Sequence, residues 1–140
     1  MSSGVLFVFL FTILVIGLIV FGIVALTKKS GRSLNVEKYQ TRWLAIESSL
    51  KPEQDASHSL AILNADKLVD AALREKGFAG NTMGERMKVA NNLWKNPDHI
   101  WGAHKIRNRI AHEPDVRITH DIAARSLVAY RQALKDLGAI

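Results

Sequence analysis

The feature that most constrains the fold of this chain is an unbroken apolar run near its N-terminus. Residues 5–26 include no charged side chain, and Thr12 is the only one of them with a polar side chain. A helix over these residues is about 33 Å long, which matches a bilayer core of about 30 Å. A helix in the core of a water-soluble domain usually has a polar stripe, and this run has none. The run therefore predicts a helix that spans a membrane.

A cleaved signal peptide is the competing interpretation of the same run. A signal peptide has a basic start, an apolar stretch of roughly 7–15 residues and a cleavage site with small side chains. This chain starts Met-Ser-Ser-Gly without a basic residue, and its apolar run is longer. We therefore predict a retained transmembrane anchor at residues 1–26, which contacts the lipid bilayer through residues 5–26.

The basic residues around the run predict its orientation. Lys28, Lys29 and Arg32 follow the run, and no lysine or arginine precedes it. Because basic residues stay on the cytoplasmic side of a membrane, we expect the N-terminus outside and the rest of the chain in the cytoplasm. The predicted location is the cell (inner) membrane, crossed once.

The part of the chain outside the predicted span is basic. It carries all of the formal net charge of +6, which suits anionic partners such as RNA, DNA or acidic lipid headgroups. The chain has no cysteine. This excludes thiolate metal sites and cysteine nucleophiles, and it fits a cytoplasmic domain without disulfides.

After a basic linker at residues 27–35, residues 36–140 have the pattern of a helical domain. Apolar residues recur at helical spacing, and no stretch alternates convincingly with a period of two. Five amphipathic helices are predicted, which begin near residue 36, near residue 57, at the capping box Thr82-Met83-Gly84-Glu85, after the turn Asn96-Pro97-Asp98 and near residue 119. The chain is therefore expected to be all-α, with a single N-terminal transmembrane helix followed by a compact cytoplasmic helical bundle.

Helical spacing also predicts which of several polar and aromatic side chains are solvated and which are buried. In the predicted helix at residues 57–76, Asp66, Asp70 and Arg74 lie opposite the apolar face with i, i+4 spacing. We interpret this as a solvated, salt-bridged face rather than a Mg²⁺ site, because Lys67 and Arg74 lie beside the carboxylates. The side chains expected to be solvated near helix starts are His58, His99 and His120, and those expected in the core are Tyr39, Trp43 and Trp94.

The densest cluster of chemically active side chains is Arg107-Asn108, followed by His112. It combines a fixed cation, a hydrogen-bonding amide and a group that exchanges protons near neutral pH. In a helix, these three side chains share an arc of about 140°, and His104 lies on the same face. At the end of that helix, the partial negative charge of the backbone favours the protonated form of His112.

The Arg-Asn-x-x-x-His motif, near the start of the last helical hairpin of an α-helical bundle, resembles the signature of the HEPN superfamily. The resemblance covers about residues 36–140, and parts of residues 81–114 also resemble membrane-anchored bacterial proteins with such a domain. It implies a metal-independent endoribonuclease without a cofactor that acts as a homodimer and leaves 2′,3′-cyclic phosphate and 5′-hydroxyl ends. In this role, Arg107 would bind the scissile phosphate, Asn108 would orient the reacting groups, and His112 would transfer a proton.

The resemblance also implies partners: a second copy of the chain, RNA, and a regulator or antitoxin. The predicted substrate-binding residues beside the motif are His104, Lys105 and Arg109. The alternative for His104 is a packed or interface histidine, and the alternative for Lys105 and Arg109 is a basic surface that keeps the domain soluble. Since one histidine does not readily serve as both base and acid, two chains are expected to complete the site. The alternative is a catalytically silent HEPN-like module for dimerisation, docking or nucleotide binding, in which the motif arginine merely pairs with Glu113 or Asp115.

Overall fold

The computed structural model describes residues 3–27 and 32–140, with side chains described at residues 3–23 and 32–140. The chain divides into two compact units, residues 1–31 and residues 32–140. Lys28 and Lys29, on which the predicted orientation depends, lie outside the described residues, as does the middle of the predicted linker. The described residues form helices and no β-strand, so the predicted all-α class is confirmed.

Helix α1, Ser3–Thr27, contains the whole predicted apolar run. It is long and apolar enough to cross a membrane. Its large apolar side chains up to Ile23 are exposed rather than packed against protein. The hydroxyl of Thr12 donates a hydrogen bond to the carbonyl of Val8 over 2.8 Å, so this polar group is satisfied within the helix. Both properties suit a helix surrounded by lipid.

The second unit is a bundle of the five predicted helices. They are α2 (Val36–Ser49), α3 (Asp55–Glu75), α4 (Met83–Val89), α5 (Pro97–His112) and α6 (His120–Asp136), with a 3₁₀ turn at Asn91–Leu93 between α4 and α5. Helix α3 is central and packs against the other four. Its buried side includes Ile62, Val69 and Leu73. The predicted core aromatic residues, Tyr39, Trp43 and Trp94, are all buried.

Side-chain caps explain where these helices begin. Four helices begin after a cap that accepts a hydrogen bond from the backbone N–H three residues later: Asn35, Thr82, Asn96 and Thr119. Each such cap contributes about 1 kcal/mol. At α4, the Glu85 carboxylate also accepts a hydrogen bond from the backbone N–H of Asn81 over 2.6 Å. The predicted helix starts at Thr82 and near residue 119 are therefore confirmed.

The prediction that His58 is solvated is wrong. Its ring is buried, and its two nitrogens lie 3.0 Å from the carbonyl oxygens of Lys51 and Ile118. The ring therefore links the turn after α2 to the segment before α6. Local spacing does not reveal this link, because Ile118 lies 60 residues further along the chain. His99 and His120 are exposed, as predicted.

Candidate functional site

A groove of about 930 Å³ lies between α3, α5 and the segment that contains α4. One wall is formed by α5, where i, i+4 spacing places His104, Asn108 and His112 on a single face beside Arg107. The groove thus brings together four of the six predicted site residues. The other two, Lys105 and Arg109, are exposed and do not line it.

Asp66 is the polar centre of this groove, and the prediction that it is solvated is wrong. The residue is only 3% exposed. Its Oδ1 lies 2.8 Å from Nδ1 of His104 and 3.0 Å from the hydroxyl of Tyr130, and its Oδ2 lies 3.2 Å from Nε of Arg107. Helices α5 and α6 therefore supply donors to a carboxylate on α3. Helical spacing identified the polar face of α3 but not the two helices that cover part of it.

Tyr130 supplies one of these donors and remains a neutral phenol. Burial raises its pKa far above the ordinary value, and the charge and the hydrogen bond of Asp66 raise it further. The phenol is therefore a permanent donor that holds the carboxylate in place. Apolar spacing predicts that Tyr130 is buried, but no local signal in the sequence reveals its polar partner.

His104 is held in one orientation by Asp66. A carboxylate only accepts hydrogen bonds, so the hydrogen between the two residues belongs to Nδ1 of His104. Nε2 has no hydrogen-bond partner among the described residues. The ring of Trp101 packs edge-on against this imidazole, with ring centroids 6.2 Å apart. The ring is thus held by Asp66 and lies on the wall of the groove.

Arg107 is held less firmly than His104. Its Nε lies 3.2 Å from Asp66, but the N–H does not point at the carboxylate, so this contact is an ion pair without a hydrogen bond. Its Nη1 donates a hydrogen bond to the amide oxygen of Asn108 over 3.1 Å. The side chain is 31% exposed. The guanidinium therefore keeps free N–H groups with which an anion in the groove can interact.

More basic than acidic side chains line the groove. The lining includes five lysine and arginine side chains and three carboxylates. Asp70 binds both Arg74 and the buried Arg86, each over 2.7 Å, which confirms the predicted pair at i, i+4. Lys67 and Lys88 form no ion pair with any described residue and are exposed. Their charges are therefore available to an anionic ligand.

His112 is exposed at the other end of the same wall. It is the last residue of α5. Its neighbour Arg109 pairs with Glu113 over 3.1 Å, so the acidic residue after the motif is engaged by Arg109 rather than by Arg107. Among the described residues, no group of three or more histidine and carboxylate side chains is arranged to hold a metal ion.

Three comparisons of this chain with known proteins, made against protein-family models, curated proteins and solved structures, found no match.

Proposed function

We propose that the helical domain is a metal-independent, HEPN-like endoribonuclease that is held at a membrane and acts as a homodimer. The observation that carries this proposal is the presence of Arg107, Asn108 and His112 in one basic groove. The three side chains combine a phosphate ligand, an orienting amide and a proton-transfer group.

The charge of the groove and one aromatic side chain in it suit a single RNA strand. Lys67, Lys88 and the free N–H groups of Arg107 supply positive charge for the phosphates. Trp101 is half-buried in the same groove and offers an aromatic surface for a base. In the proposed reaction, the ribose 2′-oxygen attacks phosphorus and the 5′-oxygen leaves, with Arg107 stabilising the negative charge of the phosphoryl group.

Attachment to the membrane is part of the proposal. Helix α1 would serve as a retained anchor with the N-terminus outside, and the bundle would lie in the cytoplasm. Confining two copies to the same membrane raises their effective concentration and favours a dimer.

The test is cleavage of RNA in EDTA by the full chain in detergent micelles. We expect 2′,3′-cyclic phosphate ends, and a loss of about 100-fold or more in Arg107→Ala and in His112→Ala. The matched controls are Arg125→Ala and His99→Ala, which change exposed residues outside the groove. If the wild-type protein has no activity, or if all five proteins are equally active, the proposal that this domain is an endoribonuclease is wrong.

A second function is favoured by the contacts of Arg107. The guanidinium already binds Asp66 and Asn108, as expected of an arginine that organises a catalytically silent docking or nucleotide-binding module. Such a module requires an intact fold but no proton transfer. In that case, His112→Ala would leave self-association and cellular phenotype unchanged, whereas the endoribonuclease would lose its cellular effect.

A further inference from the structure

We infer that Trp101 is the base-binding residue of this groove and that it restricts cleavage to RNA with unpaired bases beside the scissile bond, with purines preferred. The inference rests on the proposed RNA cleavage and adds to it the selection of the substrate. The placement of Trp101 beside the motif residues carries it.

The first step of the argument is the difference between the three tryptophans of the chain. Trp43 and Trp94 are 2% and 6% exposed and belong to the core, and the indole N–H of Trp94 donates to the carbonyl of Met87 over 3.0 Å. Trp101 is only half-buried and lines the groove, and its indole N–H has no hydrogen-bond partner among the described residues. An aromatic ring that is partly open to water and keeps a free donor can both stack on a ligand and hydrogen-bond to it.

The second step is how firmly the indole ring is held. Its edge-on contact with the imidazole of His104, with ring centroids 6.2 Å apart, joins it to a side chain that Asp66 already holds. On α4, a Cβ added at Gly84 would lie 3.9 Å from a carbon of the six-membered ring of Trp101. Because glycine has no side chain, residue 84 places no side chain over that part of the ring. A base can therefore contact a ring that is already oriented, which reduces the entropy lost on binding.

The third step is the distance from Trp101 to the motif. Trp101 and Asn108 share one face of α5, and Arg107 lies six residues after Trp101, which is about 9 Å along the helix axis. Stacked nucleotides in one strand rise about 3.4 Å each, so this distance corresponds to at most about three of them. A base on Trp101 therefore belongs to a nucleotide within about three positions of a phosphate at Arg107.

The fourth step is what this arrangement selects. Lysine and arginine side chains in the groove bind phosphates, which single strands and duplexes both present, so they do not distinguish the two. In a duplex each base is paired and stacked between its neighbours, so it must be flipped out before it can lie on an indole. Purines have the larger ring system and stack more strongly, which gives a modest preference for them. Apart from two histidines, Trp101 is the only aromatic side chain among the described residues that line the groove, so the selection depends on it.

The test compares Trp101→Leu with Trp101→Phe in the full chain in detergent micelles. Leucine is apolar but has no aromatic surface, whereas phenylalanine keeps part of that surface. We expect kcat/KM on single-stranded RNA to fall by about 5–150-fold in Trp101→Leu, the cost of one lost stacking contact, and to recover largely in Trp101→Phe. The wild type should cleave a single strand in preference to a duplex of the same sequence, at a bond within about three nucleotides of a purine. Both preferences should weaken in Trp101→Leu.

Ile106→Ala is the structural control. Ile106 is also a partly buried residue of α5, but it lines a cleft between α5 and α6 rather than the groove. We expect this variant to be less stable and yet to keep the preferences of the wild type. If Trp101→Leu also keeps the wild-type rate and preferences, Trp101 belongs only to the edge of the core and the inference is wrong, while the proposed function stands. A wild type that neither binds nor cleaves RNA would contradict both.

Tryptophan fluorescence tests base binding without cleavage. In the His112→Ala background, a single strand of purine RNA should quench the emission of Trp101, and a duplex should quench it much less. Trp101→Phe in the same background should still bind RNA but lose the quenching, because Trp43 and Trp94 are buried in the core. Quenching that survives in Trp101→Phe, or that is equal for single strand and duplex, would contradict the inference. Quenching by RNA that the wild type does not cleave would contradict the proposed endoribonuclease and still support the stacking of a base on Trp101.

Discussion

His104 and Asp66 lie 38 residues apart in the chain and are joined by a hydrogen bond of 2.8 Å between α5 and α3. Tyr130 brings α6 to the same carboxylate. The contact that orients the His104 ring is therefore also a junction of three helices of the bundle. Substitutions here are expected to affect stability and activity together, and matched variants are needed to separate the two.

Replacing Asp66 by asparagine should weaken both the fold and the site. Asp66→Asn removes the charge that faces Arg107 and leaves buried donors imperfectly paired, at a cost of about 3 kcal/mol in the free energy of unfolding. The control is Asp121→Asn, which removes an exposed ion pair with Arg125 and should change that free energy by no more than about 0.5 kcal/mol. Urea unfolding followed by tryptophan fluorescence measures both. Equal stability of the two variants would contradict the central role of Asp66.

The two tyrosines of the chain should resist ionisation at alkaline pH. Burial raises the pKa of both, and hydrogen bonds to carboxylates, from Tyr39 to Glu75 over 2.7 Å and from Tyr130 to Asp66, raise it further. Since the folded state holds these protons more tightly than the unfolded state, the resulting stability is present below pH 10 and is lost as the pH rises above it. Near-ultraviolet absorbance should show little tyrosinate at pH 10 in the folded chain and about half ionisation in denaturant. Free titration in the folded chain would contradict the two contacts.

A methyl group at position 84 should block the groove without harming the fold. Gly84→Ala places its Cβ at an ordinary contact distance of 3.7 Å from Nε2 of His104, and alanine favours the helix by about 0.5 kcal/mol. We expect cleavage to fall by about tenfold or more while stability is kept or increased. Gly102→Ala is the control, because a Cβ there meets nothing within 4 Å. Unchanged cleavage in Gly84→Ala would show that substrate does not occupy the part of the groove beside position 84.

Salt dependence should identify the lysines that contact RNA. With His112→Ala as the background to prevent cleavage, Lys88→Ala should reduce the slope of log affinity against log salt by about 0.7, the value for one phosphate contact on a single strand. Lys105→Ala should leave the slope unchanged, because Lys105 does not line the groove. If Lys105→Ala reduces the slope and Lys88→Ala does not, RNA binds at the outer face of α5. That result would support the sequence-based assignment of Lys105 and Arg109.

Membrane insertion and orientation can be measured with single cysteines, because the chain has none of its own. We expect the full chain to remain with membranes after alkaline extraction. In intact cells, an impermeant maleimide should label Ser3→Cys and not the exposed position Ser48→Cys, which should react only after permeabilisation. The reverse labelling pattern would contradict the predicted orientation. Loss of the chain from the membrane fraction would contradict the prediction that α1 is a transmembrane anchor.

Several features of this site follow from local sequence alone. The spacing of His104, Asn108 and His112 places them on one face of a helix, and the structure brings all three to the same groove. The cap at Thr82 fixes the start of α4, which forms part of the opposite wall. Both predictions succeed because they depend only on helical geometry and on hydrogen bonds between residues close in the chain.

The predictions that fail concern buried polar residues with distant partners. Asp66 has the spacing of a solvated helix face, and His58 has the position of a residue near a helix start. Each is buried because another helix or segment covers it and supplies a hydrogen-bond partner 38 to 64 residues away. Helical periodicity describes one helix at a time, so it does not show which polar face another helix will cover.

The sequence by itself determined the apolar length of α1, the all-helical class, the starts of the capped helices and the cluster of motif residues on α5. These depend on hydrophobic transfer and on bonds within a few residues, which act wherever the segment lies. Tertiary structure alone decided that Asp66 is a buried acceptor, that His104 is fixed with Nε2 towards the groove, and that Arg107 pairs with α3. Those outcomes depend on the packing of α3, α5 and α6, because a buried carboxylate must be paired with donors, and only the packed helices bring those donors together.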